Sequence, residues 1–181
     1  MADIFFEIYF NVTRFWCKIL LSTQISGKYS IDHFDRKILS ELQIDSDKSI
    51  SEIAEKVNLS LSACHRRIKM LEEAGIIDGY AARLDRHALG LEADVFVEIS
   101  LTSQSQETLN QFEKAVMCYD EILECHLTSG NADYIVRVAA RNVPDYDRIH
   151  RNCLTKLPHV ASMRSTFALR AIKPWKGYPV Q

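Results

Sequence analysis

With 181 residues, the chain has room for one medium domain or two small ones. A hydrophobic share of 47% and a charged share of 25% exclude wholesale disorder and collagen-like repetition. The formal net charge of -2 argues against a generally basic nucleic-acid binder, so any such role must rest on a local patch.

Residues 1–28 form an apolar extension. Its stretch "DIFFEIYFNVTRFWCKILLS" is interrupted by Glu7, Arg14 and Lys18, so no run approaches the ~20 apolar residues of a bilayer span. It opens with Asp3 and runs on into polar "STQISGK", unlike a secretory signal. Two readings stand: an extra apolar helix packed on the protein or its partner, or a translated upstream extension. The five cysteines, Cys17, Cys64, Cys118, Cys125 and Cys153, are never spaced C-x-x-C and read as small hydrophobes in a reducing cytoplasm.

Residues 29–80 carry a helical pattern. Asp32 is an N-cap, followed by Phe34, Ile38 and Leu42 on one face. After the polar break "DSDKS", Ser49 and Glu52 make a capping box ahead of Ile50, Ile53, Ala54 and Val57. Asn58 suits a left-handed turn, Ser60 caps a third helix, Cys64, Ile68 and Leu71 form its inward stripe, and Gly75 stops it. The tight turn between the second and third helices makes a helix-turn-helix pattern. At about 100 degrees per residue, Ser62, His65, Arg66, Lys69 and Glu73 face away from Cys64 and Ile68. Such a face reads base edges in the major groove, and the capped helix before it favours that role over a merely solvated one. Arg67 lies at the edge of the buried stripe and is expected to pair with an acid of the first two helices. Between Tyr29 and Tyr80 there are seven Lys or Arg against ten acids, so DNA affinity requires several copies acting together.

"IIDGYAARLDRHALGL" reads as a short strand and a connector, with residues 81–93 as linker. Residues 94–181 then follow another grammar. "ADVFVEISL" alternates Val95, Val97, Ile99 and Leu101 on one face, and Leu109, Phe112 and Val116 recur at helical spacing. Two strands, "ILECHLTSG" and "DYIVRVAA", meet across Gly130 and Asn131. A helix runs from Pro144 to Pro158, and "VASMRSTFALRAI" is the last strand. The order β-α-β-β-α-β is ferredoxin-like, so the fold class is α+β: a winged-helix-like helix-turn-helix domain, then an antiparallel sheet with both helices on one face. The other face needs a cover, and a partner subunit is expected there.

"IDHFDRKILSELQ", "VNLSLSACHRRIKMLEEAGIIDGY", "LDRHALGL", "GNADYIVRV" and "RSTFALRAIK" together resemble the leucine-responsive/asparagine-responsive (Lrp/AsnC) family of transcription regulators, over roughly Ser30 to Lys173. The resemblance implies a cytoplasmic regulator of amino-acid metabolism that binds double-stranded DNA. It also implies homodimers, often assembled into octamers, with a small effector, usually an amino acid, bound between dimers. The chain departs in its N-terminal extension and in carrying Leu61 and Ala63 where the family often has a proline. The DNA-facing set is Ser60, Ser62, Ala63, His65, Arg66 and Lys69.

An amino-acid effector offers a carboxylate beside an ammonium. Backbone N–H groups of Gly130, Asn131 and Ala132 suit an anion-binding nest, since Gly and Asn tolerate left-handed conformations, and Asp133 would supply the negative partner ahead of Tyr134. Ser165 and Thr166 of the last strand would close the pocket from a neighbouring dimer, as the resemblance implies. The alternative makes Gly130 and Asn131 only a turn and Asp133 a strand-end cap. No enzyme is expected: the six histidines form no ligand spacing, Cys125 and His126 point to opposite faces of a strand, and no phosphate loop or nucleophile motif occurs. Neither a cofactor nor a metal is expected, nor a membrane. The alternatives are an effector-independent architectural DNA-binding protein and a DNA-free amino-acid-binding module.

Overall fold

The computed structural model describes residues 29–180, so the reading of residues 1–28 lies outside the described residues. The chain divides into two compact units: the described residues through Ala82 together with those from Trp175 onward, and Arg83–Pro174. The last residues therefore group with the helices, although the sequence pattern assigns them to 94–181.

The helical unit holds α1 (His33–Ile44), α2 (Ile50–Val57) and α3 (Leu61–Glu73). Each begins where a short polar side chain satisfies backbone N–H groups left open by the first turn. Asp32 accepts from Phe34 and Asp35, Ser49 from Glu52, and Ser60 from Ala63; the first two are reciprocal capping boxes. Asn58 ends α2 in the left-handed region, at φ 56 and ψ 49. Gly75, at φ +68, ends α3 in a Schellman arrangement: its N–H donates to the Glu72 carbonyl at 3.0 Å and that of Ile76 to Leu71 at 2.9 Å. Ile38, Ile53, Ala54, Val57, Cys64, Ile68 and Leu71 close one core. After it the expected short strand does not form: no residue from 76 to 92 is in a strand. A strand needs a neighbour to take its backbone hydrogen bonds, and this stretch pairs with none among the described residues. Tyr80 instead donates its hydroxyl to Glu72 at 2.9 Å.

The second unit holds β1 (Ala93–Leu101), α4 (Gln106–Val116), β2 (Ile122–Leu127), β3 (Tyr134–Ala140), α5 (Val143–Asn152), a 3-10 turn (Leu154–Lys156) and β4 (Val160–Ala168). The sheet order is β2-β3-β1-β4 and every neighbouring pair is antiparallel. This is the ferredoxin-like arrangement. Val95, Val97, Ile99 and Leu101 of β1 and Val136 and Val138 of β3 join Phe112, Val116, Tyr146 and Ile149 of the two helices in one core. The Phe112 and Tyr134 rings lie 4.5 Å apart within it. The opposite face is open and mixed. Phe96 is 40% exposed there, while Arg137 pairs with Asp94 at 2.9 Å and Glu124 at 2.7 Å.

Candidate nucleic-acid interface

The sequence-derived DNA set divides by helix phase. Ser62, His65, Arg66 and Lys69 are exposed on α3, opposite buried Cys64, Ile68 and Leu71; Ser60 is exposed at the cap, and Ala63 is half-buried at the edge. Arg66 makes no ion pair among the described residues, whereas Lys69 lies 3.7 Å from Glu73 across one helical turn. Arg67 takes the structural role expected of it. Its Nη1 donates to Asp32 and to buried Asp35, each at 2.8 Å, and its guanidinium stands over the Phe34 ring. Backbone N–H donation from Asp35, with the Arg67 contact, holds the Asp32 carboxyl below its ordinary range. Glu41 accepts from Lys48 and Lys56 at 2.8 and 3.1 Å, so those cations also face a carboxylate. Among the described residues, the unpaired guanidinium at the outer face of α3 is therefore that of Arg66. Hydroxyl, imidazole and guanidinium groups on one helix face are donors and acceptors suited to base edges and phosphates.

The loop between β2 and β3 differs from expectation. It spans residues 128–133 and not a two-residue turn, and neither Gly130 nor Asn131 is at positive φ. A nest built on left-handed Gly130 and Asn131 is therefore corrected: the extra loop length turns the chain without that conformation. Thr128 closes the loop on itself, its hydroxyl donating to the Ala132 carbonyl at 2.6 Å. Asp133 accepts the Leu101 N–H and the Gln104 amide, each at 2.7 Å, which is the strand-end role. Tyr134 is buried and donates to Glu113 at 2.8 Å, and burial pushes its phenol up. Ser165 pairs with Val97 on the helix side of the sheet and shares a hydrogen bond with Tyr146, whereas Thr166 pairs with Phe96 on the open face. Successive strand residues point oppositely, so these two hydroxyls cannot line one pocket. Cys125 and His126 likewise pair with Val136 and Ile135 on opposite faces. Among the described residues no cluster of three or more potential metal ligands occurs.

Residues 31–78 match the winged helix-turn-helix DNA-binding family, and residues 94–177 match the Lrp/AsnC ligand binding domain. The Bkd operon transcriptional regulator of Pseudomonas aeruginosa is 38% identical over 78% of this chain and 93% of its own length. The chain belongs to the Lrp/AsnC family. The leucine-responsive regulatory protein of Escherichia coli, of the same kind, is 37% identical over 79% of this chain and 87% of its own length. Among solved structures, an AsnC family regulator from Agrobacterium tumefaciens superposes with TM-score 0.78 at 36% identity, covering 82% of this chain and 97% of that one. A transcriptional regulator from Neisseria meningitidis, solved as a complex with L-methionine, gives 0.79 at 30% identity, covering 83% and 97%. This Lrp/AsnC protein is thus a DNA-binding transcription regulator with a ligand-binding domain, and not an enzyme. Among its described residues, no helix is long and apolar enough to cross a membrane.

One contact of the helical unit escaped sequence reading. Gln43, in the last turn of α1, exchanges two hydrogen bonds with the backbone of Tyr178, 135 residues away. No local pattern signals a pair at that separation.

Proposed function

We propose that this regulator controls genes of amino-acid metabolism from the cytoplasm, binding an operator in double-stranded DNA as a homodimer or an assembly of dimers, under the control of an amino-acid effector. The observation that carries the reading is the outer face of α3, where Ser62, His65 and Arg66 stand exposed while Arg67 is taken up by Asp32 and Asp35. Ser60, Ala63 and Lys69 complete the proposed DNA-facing set. The acid-rich helical unit supports binding by several copies, and the open sheet face with Phe96 supports a partner subunit over it.

The effector is placed at Gly130, Asn131, Ala132, Asp133 and Tyr134. Backbone groups of the 128–133 loop receive its carboxylate, and Asp133, whose carboxylate accepts from Leu101 and Gln104, receives its ammonium. The last strand of a neighbouring subunit contributes through Thr166, which points to the open face, while Ser165, bonded to Tyr146 on the other face, anchors the strand. The L-methionine complex of the Neisseria meningitidis relative supports an amino acid as the class of ligand. The test is a salt titration of binding to a selected operator and to random duplex, with and without each of the twenty amino acids. Specific binding that shifts with one amino acid is expected. Specific binding that no amino acid shifts would establish an effector-independent architectural protein, and amino-acid binding with no DNA binding a ligand module alone.

A further inference from the structure

Past β4 the sequence enters a triplet pattern of large apolar residue, cation and small residue: Leu169-Arg170-Ala171, Ile172-Lys173-Pro174 and Trp175-Lys176-Gly177, with Tyr178 opening a fourth. No acidic residue occurs from Leu169 to Gln181. The large residues are uncovered: Leu169, Ile172, Trp175 and Tyr178 are 98, 77, 71 and 76% exposed. Yet the end of the segment is held. The Gln43 amide donates to the Tyr178 carbonyl at 3.0 Å, and its oxygen accepts the Tyr178 N–H at 2.6 Å. Gly177 sits at φ +105, and a Cβ there would overlap the Gln43 carboxamide. Only glycine lets the chain close on α1 at that point. The Trp175 and Tyr178 rings meet edge to face at 5.8 Å.

This segment adds cations to an acid-rich helical unit. Lys48, Lys56, Arg67 and Lys69 already face carboxylates, and a net-acidic unit gains little from phosphates. Arg170, Lys173 and Lys176 make no ion pair among the described residues. A protein partner covering the apolar residues would have to desolvate a cation in every triplet. The DNA backbone has no such conflict, because cations neutralise phosphates while flat rings pack on sugars and base edges.

We propose that the end of this segment, Trp175 to Tyr178, clasped to α1 by Gln43, is a second DNA-contacting element of the helical unit, with Lys176 on a phosphate and Trp175 and Tyr178 packed beside it. The inference rests on the reading that the chain binds DNA. Its test is the salt dependence of the full chain on a fluorescent random-sequence duplex. Lys176→Gln should reduce the slope of log affinity against log salt by ~1 per protomer, since each lost phosphate contact removes ~0.9. Gly177→Ala keeps every charge and should still bind several-fold more weakly, with helix content unchanged by circular dichroism. An unchanged slope in Lys176→Gln overturns the inference, as does parental affinity in Gly177→Ala. A smaller assembly of Trp175→Ser/Tyr178→Ser by light scattering would overturn it too, by assigning the apolar residues to a second copy. A parent that binds no duplex defeats the DNA reading and this inference together; a parent that binds while the slope stays fixed defeats this inference alone.

Discussion

Arg66 and Arg67 are neighbours with opposite fates, and 100 degrees of helix rotation separates them. Arg67 neutralises Asp35, which is 1% exposed, so Arg67→Ala strands a buried carboxylate and should lower the unfolding free energy by about 3 kcal/mol in a urea titration. Arg66→Ala should leave the urea midpoint where it is and weaken operator binding by ~1 to 3 kcal/mol if its guanidinium pairs with a guanine. A fully stable Arg67→Ala protein that has lost operator binding would show the helix phase to be misassigned. Asp145 gives a titratable counterpart. The Arg141 backbone N–H and then the Arg148 guanidinium hold its carboxyl at about 2. The folded value lies below the unfolded one, so its stabilisation is complete above the ordinary carboxylate range and is lost as pH falls toward 2. Asp145→Asn should therefore remove part of the acid-side fall in stability, read as a shallower drop of melting temperature between pH 4 and pH 2 (about the window set by those two values).

The helices owe their ends to local chemistry. Ser49→Ala removes one half of a reciprocal cap and should cost about 1 kcal/mol. Asn58 is held at φ 56, a conformation that β-branched residues resist, so Asn58→Val should cost ~1 to 2 kcal/mol while Asn58→Gly stays near the parent. Because that turn aims α3, Asn58→Val should also weaken operator binding beyond what its melting temperature explains. Caps and the left-handed turn depend on residues within four positions, which is why all three helices were legible in the sequence. The strand expected near Tyr80 was not, because a strand's backbone groups are satisfied by a distant segment and this one has none among the described residues. The 128–133 loop misled for a related reason. Gly130 and Asn131 permit a left-handed turn, but six residues of connection make it unnecessary.

For the molecule as a whole, the sheet presents Phe96 and the Asp94–Arg137–Glu124 network on the face away from its helices. A partner subunit on that face would place two copies of α3 on one operator, so we expect half-sites about one DNA turn apart, ~34 Å, in a near-palindromic sequence. Phe96→Lys should split the assembly by light scattering and, with it, abolish specific binding at protein concentrations where the parent saturates. A monomeric parent at micromolar concentration that still binds its operator specifically would refute this.

The order of the three helices and of the β-α-β-β-α-β elements, the helix caps, the inward stripes of α3 and β1, and the exposed set from Ser62 to Lys69 were determined by the sequence alone, because each follows from a period of 3.6 or 2 and from polar groups close by in the chain. The tertiary structure decided what depends on distant neighbours. It chose Asp32 and Asp35 as the partners of Arg67, engaged Asp133 with Leu101 and Gln104, turned Ser165 to the helix side of the sheet and Thr166 to the open side, and set Gly177 against Gln43. A residue type states which bonds a side chain is able to make; only the packed chain brings a particular donor within 3 Å (about hydrogen-bond length) of a particular acceptor.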